Sequence, residues 1–121
     1  MTSKVAISLT TGLEDAEKVT IALLVAIGAA EQGHPTMMFL AKEAVRLGQP
    51  GTAVGVACEG CAPIPELMAR YEAAGGRLLV CSVCADAKKL DTARLLPNAE
   101  LGGTIPLWQW IGDEPATTFS Y

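Results

Sequence analysis

Apolar and polar residues follow two different patterns over the N-terminal third of the chain. Residues 4–9 and 36–40 are short, mostly apolar runs, which predict two buried strands. Between them, apolar side chains recur at helical spacing from about Asp15 to Gln32, and Gly33 follows where helices commonly end. Parallel strands need such a crossover, which is nearly always right-handed. The pattern therefore predicts an α/β domain of three layers, α/β/α.

The remaining pattern predicts further elements of the same kind. Helices are expected over residues 41–47, 64–74, 85–90 and 101–112. Strands are expected over residues 77–80 and 117–121. Residues 52–57 have strand propensity but contain glycine and precede cysteines, so a strand and an irregular loop both stay open. No repeat or linker interrupts the chain, which predicts a single domain over residues 1–121 with a mainly parallel sheet of about five strands.

The composition narrows the class of protein. Half of the 121 residues are apolar and 18% are charged, which predicts a folded chain with surface buried against other subunits. The net charge of −4, with nine scattered Lys and Arg residues, argues against nucleic-acid binding. The longest uncharged apolar run, residues 19–30, is too short to span a membrane, and the N-terminus lacks signal-peptide features. We therefore expect a cytoplasmic protein without a membrane or nucleic-acid partner.

Four cysteines form two C-x-x-C pairs, Cys58 with Cys61 and Cys81 with Cys84, and 19 residues separate the pairs. In a reducing compartment such pairs point to metal binding or redox chemistry. The spacing lies within the range of four-thiolate zinc sites, so a structural or regulatory zinc module that uses all four cysteines is one hypothesis. A dithiol redox switch between the two pairs is another.

The second pair stands where nucleophilic chemistry is favoured. Cys81 ends an apolar predicted strand and precedes a helix, a place where open α/β sheets bind ligands and backbone N–H groups stabilise anions. Cys81 could then attack as a thiolate and hold a persulfide, or close a disulfide with Cys84. A small anionic substrate is expected to contact Thr10, Thr11, Gly12 and Lys88. An ordinary turn at residues 10–12 and a solvated helix face at Lys88 are the competing interpretations.

Two stretches of the sequence resemble the DsrE-like (DsrE/DsrF/DsrH) family. The first comprises Lys4-Val5-Ala6-Ile7, Thr10-Thr11-Gly12, a helix, and Glu31-Gln32-Gly33-His34 before an apolar strand. The second runs from Ile64-Pro65-Glu66-Leu67 through Ala74-Gly75-Gly76-Arg77 to Val80-Cys81-Ser82-Val83-Cys84. Together they cover nearly the whole chain, and the segment from the glycine pair to the cysteines is the most specific part.

The resemblance implies intracellular sulfur relay, in which Cys81 carries sulfur as a persulfide and Cys84 is the neighbouring or resolving thiol. It also implies a small three-layer fold and a homo-oligomer, either a trimer or a hexamer. Such a protein would be a sulfurtransferase-like carrier without independent turnover and would require no cofactor. It would exchange sulfur with other sulfur-relay proteins or small sulfur anions.

The first cysteine pair departs from the pattern of the sulfur-relay members. Cys58 and Cys61 are not part of that pattern, which keeps zinc binding and redox chemistry open. The resemblance also implies that residues 48–62 form a long active-site loop rather than a strand. Such a loop could fold the first pair over Cys81 and Cys84.

Overall fold

A five-stranded sheet forms the centre of the computed structural model, which describes residues 3–121. The strands are β1 (Lys4–Leu9), β2 (Thr36–Leu40), β3 (Arg77–Cys81), β4 (Ala99–Gly102) and β5 (Ala116–Ser120). Their order across the sheet is β4-β3-β2-β1-β5, and every neighbouring pair is parallel. The predicted parallel sheet of about five strands is thus confirmed.

Four α-helices connect the strands: α1 (Ala16–Glu31), α2 (Ile64–Ala73), α3 (Ser82–Ala87) and α4 (Thr104–Ile111). Short 3-10 helices occupy Leu13–Asp15 and Lys42–Gly48. The Asp15 carboxylate accepts the Lys18 N–H at 3.0 Å and so caps α1. Gly33 follows α1 with a φ of +89°, which glycine adopts without strain. None of the helices within residues 3–121 is long and apolar enough to cross a membrane.

Helices cover both faces of the sheet, which gives the predicted three layers. Connections from β1 through β4 all step in one direction, so right-handed crossovers put α1, α2 and α3 on one face. The main core lies there, where Ile7, Met38 and Leu78 meet the buried side of α1. The connection from β4 to β5 steps back across the sheet, and α4 therefore covers the second face. Leu107 and Ile111 of α4 face the sheet across an apolar cavity of about 220 Å³.

The structure differs from the sequence-based prediction in three places. Residues 99–102 form strand β4, whereas we expected no strand there and a helix from Leu101. This strand is a short, mostly exposed edge, so its sequence lacks the apolar pattern that marks a buried strand. The helix expected over residues 41–47 is a 3-10 helix over Lys42–Gly48, and α3 begins three residues earlier than expected.

The sequence left residues 52–57 open between a strand and a loop. They contain turns and no strand, so this segment is a loop.

Candidate functional site

Cys81 lies at the carboxyl end of β3, where the buried strand gives way to a helix. Residues 78–80 are fully buried, and the chain then turns so that Cys81 occupies the N-cap position of α3. Its thiol is free and partly exposed. In the sheet, Cys81 is opposite Gly102 at the end of β4. Because both strands end here, the chain after each strand contributes to one shared surface.

That surface is an open depression of about 420 Å³ beside Cys81. Its walls come from the start of α3 and from the start of α4, and the lining residues are Cys81, Val83, Gly103, Thr104, Ile105 and Pro106. Gly102 lets the start of α4 pack closely on the sheet, because a Cβ atom there would lie 3.0 Å from Pro106 Cγ and 3.2 Å from Leu79 Cδ1. The depression can therefore hold a small reactant next to the thiol.

Cys84 lies one helical turn beyond Cys81 and is also a free, partly exposed thiol. Both side chains pack against the edge of the main core. The strand-to-helix junction thus provides two unpaired thiols on adjacent turns of backbone. In such a pair, one thiol can hold a sulfur species while the other remains free to attack it.

The first pair of cysteines lies elsewhere and forms a disulfide. Cys58 and Cys61 are bonded, and their Cα atoms are 5.2 Å apart. The Cys61 N–H donates to the Cys58 carbonyl at 3.0 Å, and Gly60 adopts a φ of +76°, so a tight turn brings the cysteines together. Cys58 Sγ lies 3.6 Å from Thr20 Oγ1 on α1.

The cluster of all four cysteines that the zinc hypothesis requires is not formed. Cys58 and Cys61 bond to each other beside α1, while Cys81 and Cys84 belong to the β3–α3 junction. Zinc needs free thiolates that converge on one point, and a disulfide supplies none. Among residues 3–121, no group of three or more His, Cys, Asp or Glu side chains is arranged to bind a metal ion. The loop at residues 48–62 exists, but it does not bring the two pairs together into a four-cysteine site.

Two of the three residues predicted to bind an anion near β1, Thr10 and Gly12, have partners within the chain. The backbone N–H and hydroxyl of Thr10 donate to the Tyr121 carbonyl at 2.9 and 3.1 Å. The Gly12 N–H donates to Glu14 Oε1 at 2.8 Å. Gly12 also packs closely on Glu43, whose carbonyl oxygen would lie 2.8 Å from a Cβ atom at Gly12. Neither residues 10–12 nor Lys88 lines the depression beside Cys81.

Lys88 is held by a carboxylate on the neighbouring connection. Its ammonium pairs with Glu43 Oε1 at 2.7 Å, and Arg46 Nε donates to Glu43 Oε2 at 2.8 Å. These two hydrogen bonds, that of Lys88 first, lower the pKa of Glu43 below its usual 4.5. The ion pair between Lys88 and Glu43 therefore links the C-terminal end of α3 to the 3-10 helix after β2.

The residues that line the depression opposite Cys81 were not among those predicted from the sequence. Residues 103–106 form the turn into α4 and its first residues. The sequence carries a signal for them, since a glycine pair followed by a proline in the first helical turn marks a tight strand-to-helix turn. Because β4 was not predicted from the sequence, its pairing with β3 was not predicted either. The sequence alone therefore could not place this turn beside the carboxyl end of β3.

Comparison with known proteins agrees with the α/β fold described above. The family model described as DsrE/DsrF-like matches residues 3–118. The crystal structure of the YchN protein from E. coli superposes with a TM-score of 0.79 and 23% sequence identity. The alignment covers 98% of this chain and 99% of that chain, which shows a shared fold. No curated protein matches the sequence.

Proposed function

Because this chain belongs to the DsrE/DsrF-like family, which supports a role of the sulfur-relay type, we propose that it carries sulfur as a persulfide on Cys81. Cys84 is the neighbouring or resolving thiol. The observation that carries the proposal is the free thiol of Cys81 on the wall of an open depression at the carboxyl edge of the sheet. Ligands of open α/β sheets bind at this edge.

Sulfur transfer to Cys81 needs only an accessible thiolate and a donor. The thiolate attacks the outer sulfur of the donor, the sulfur–sulfur bond of the donor breaks, and the donor leaves as a thiolate. Cys81 then bears one additional sulfur atom, with no net oxidation. An acceptor thiolate removes that sulfur by the same reaction. Donor and acceptor are other sulfur-relay proteins or small sulfur compounds.

Cys84 offers a second outcome for the persulfide. Its thiolate can attack the Cys81 sulfur atom, expel hydrosulfide and leave a disulfide between Cys81 and Cys84. In this step the two cysteines are oxidised and the transferred sulfur is reduced. Cys84 therefore decides whether sulfur is passed on or released.

Intact-mass spectrometry after incubation with a persulfide donor tests the proposal. Wild type should gain the mass of one sulfur atom, which a reductant removes. Cys81→Ser should lose more than about 90% of this gain, because the attacking atom is absent. The double variant Cys58→Ser, Cys61→Ser is the matched control and should load like wild type. Loading that persists in Cys81→Ser would refute the proposal, and the same spectra report any bound zinc.

A second candidate function is dithiol redox exchange at the first cysteine pair. The Cys58–Cys61 disulfide favours it, because the turn holds both cysteines within bonding distance. In the same spectra, redox exchange predicts a gain of two hydrogen atoms on mild reduction. That gain should be absent from the double variant.

We further propose that the chain works as a homo-oligomer, either a trimer or a hexamer. Trp108 on α4 is 68% exposed, and Leu101 on the edge strand β4 adds a second exposed apolar side chain outside the depression. Large exposed apolar side chains of this kind are typical of protein interfaces.

A further inference from the structure

We propose that the depression beside Cys81 selects sulfur donors without negative charge, such as the protonated persulfide of a small aliphatic thiol, over the thiosulfate dianion. This inference rests on the proposed function, since it names the substrate class of the same site. From the sequence we expected small sulfur anions among the reactants, and this inference instead favours uncharged donors.

The walls of the depression are uncharged. Besides Cys81, the lining consists of two apolar side chains, one proline, one threonine and one glycine: Val83, Ile105, Pro106, Thr104 and Gly103. Among residues 3–121, no Lys or Arg side chain belongs to this lining. An anionic donor that docks against these walls would thus lose part of its hydration without gaining a cationic partner.

The nearest lysines in sequence lie beyond the far end of α3. This helix has six residues, so Lys88 and Lys89 follow Cys81 by about 10 Å along the helix axis. The ammonium of Lys88 pairs with Glu43 at 2.7 Å. Exposed charges are largely screened over about 8–10 Å at physiological ionic strength. Asp86 is exposed on α3 and adds a negative charge to the same helix.

The dipoles of α3 and α4 act in the opposite direction, and their combined size decides the balance. Cys81 is the N-cap residue of α3, α4 begins at Thr104 in the opposite wall, and each helix N-terminus is equivalent to at most about half a positive charge. Together they amount to about one positive charge, which the Cys81 thiolate alone offsets. Attack on thiosulfate brings two more negative charges into the depression, whereas attack on a protonated persulfide brings none. The two dipoles therefore do not compensate the charge of an anionic donor.

The proposed step is balanced without another reactant. The Cys81 thiolate attacks the outer sulfur of R–S–SH, and a new sulfur–sulfur bond forms. The original sulfur–sulfur bond of the donor breaks, R–S⁻ leaves, and the product is Cys81–S–SH. One thiolate is consumed and one is released, so the step involves no net oxidation.

Two alkylating agents of similar size test the charge selection without any sulfur transfer. Iodoacetamide is neutral and iodoacetate carries one negative charge. We expect the rate ratio of iodoacetamide to iodoacetate at Cys81 to exceed that of blocked, neutral N-acetylcysteine amide by about fivefold. Site-resolved mass spectrometry on the full chain gives both rates. A ratio equal to or below that of the blocked cysteine overturns the inference.

A charge introduced into the depression gives a matched comparison. Val83 lines the depression and is 75% exposed, whereas Val54 is 74% exposed on the loop before α2. Val83→Lys should lower the alkylation ratio about fivefold and raise loading from thiosulfate. Val54→Lys changes the net charge equally and should alter neither. An equal change in both variants would show that net charge alone acts, which overturns the inference.

The inference and the proposed function fail in different ways. If the alkylation ratio is high but no donor loads Cys81, sulfur carriage is wrong and the charge selection stands. If thiosulfate and the aliphatic persulfide load Cys81 at equal rates, relative to a small neutral thiol, carriage stands and the selection is wrong. Faster loading from the persulfide together with a high alkylation ratio supports both.

Discussion

Glu43 joins two basic side chains and so connects separate parts of the sheet edge. It accepts hydrogen bonds from Lys88, after α3, and from Arg46, within the 3-10 helix after β2. The backbone of Gly12, after β1, packs against the same residue. One carboxylate thereby fixes the connections that follow β2 and β3, next to the junction that carries Cys81.

The pH dependence of stability should report this contact. The folded pKa of Glu43 lies below 4.5, so its contribution is present above 4.5 and is lost as pH falls through the folded pKa. Glu43→Gln should therefore be less stable than wild type at neutral pH. The difference should shrink as pH falls below 4.5. Urea unfolding midpoints at neutral and acidic pH measure it, and a pH-independent difference would contradict the assignment.

The turn between α2 and β3 places the strand that ends at Cys81. Tyr71 is buried, and its hydroxyl donates to the Arg77 carbonyl at 2.7 Å, while burial raises the pKa of the phenol. Gly76 lies against the Tyr71 ring, and a Cβ atom there would approach the ring to 2.1 Å. Gly75 adopts a φ of +87° but faces open space. The two glycines are thus required for different reasons.

Alanine at each glycine should separate these reasons. Gly76→Ala must displace the Tyr71 ring, and we expect a loss of about 3 kcal/mol in the free energy of unfolding. Gly75→Ala meets only the left-handed backbone penalty, for which we expect about 1 kcal/mol. Chemical denaturation of both variants measures the losses. A loss for Gly76→Ala that does not exceed that of Gly75→Ala would contradict the proposed clash with the Tyr71 ring.

The three central strands and the exposed edge strand β5 were predicted from the sequence, whereas the exposed edge strand β4 was not. β1, β2 and β3 carry apolar runs because helices cover both sides of the sheet centre, and their predicted bounds agree with the structure to within one residue. β4 lies at an exposed edge and carries no such run. The position of Cys81 at a strand end followed from the predicted β3. The opposite wall of its depression did not, because only the pairing of β3 with β4 brings it there.

At the scale of the whole molecule, no element within residues 3–121 covers the exposed side of α4. Ile105 and Trp108 lie on that helix and are largely exposed. Ile21 is 47% exposed on α1, across the sheet from α4. If the proposed homo-oligomer forms through α4, the two helices should respond differently to a new charge.

Native mass spectrometry should distinguish the two surfaces. Trp108→Glu places a charge in the expected interface and should shift the trimer or hexamer to monomer, because burial of an unpaired charge is costly. Ile21→Glu is the control on α1 and should leave the assembly intact. Dissociation by the α1 variant alone would move the interface to the other face of the sheet.

The strand order also has a consequence for how the chain reaches its native state. β1 is the first strand in sequence, yet its outer edge pairs with β5, the last, with Lys4 opposite Ala116. Contacts so distant in sequence are slow to form, because a long loop must close first. Until β5 docks, the apolar edge of β1 is open to intermolecular pairing, as unpaired strand edges generally are. A nascent or refolding chain is therefore vulnerable to aggregation at this edge. We expect chaperones that prevent such aggregation to bind the chain at β1.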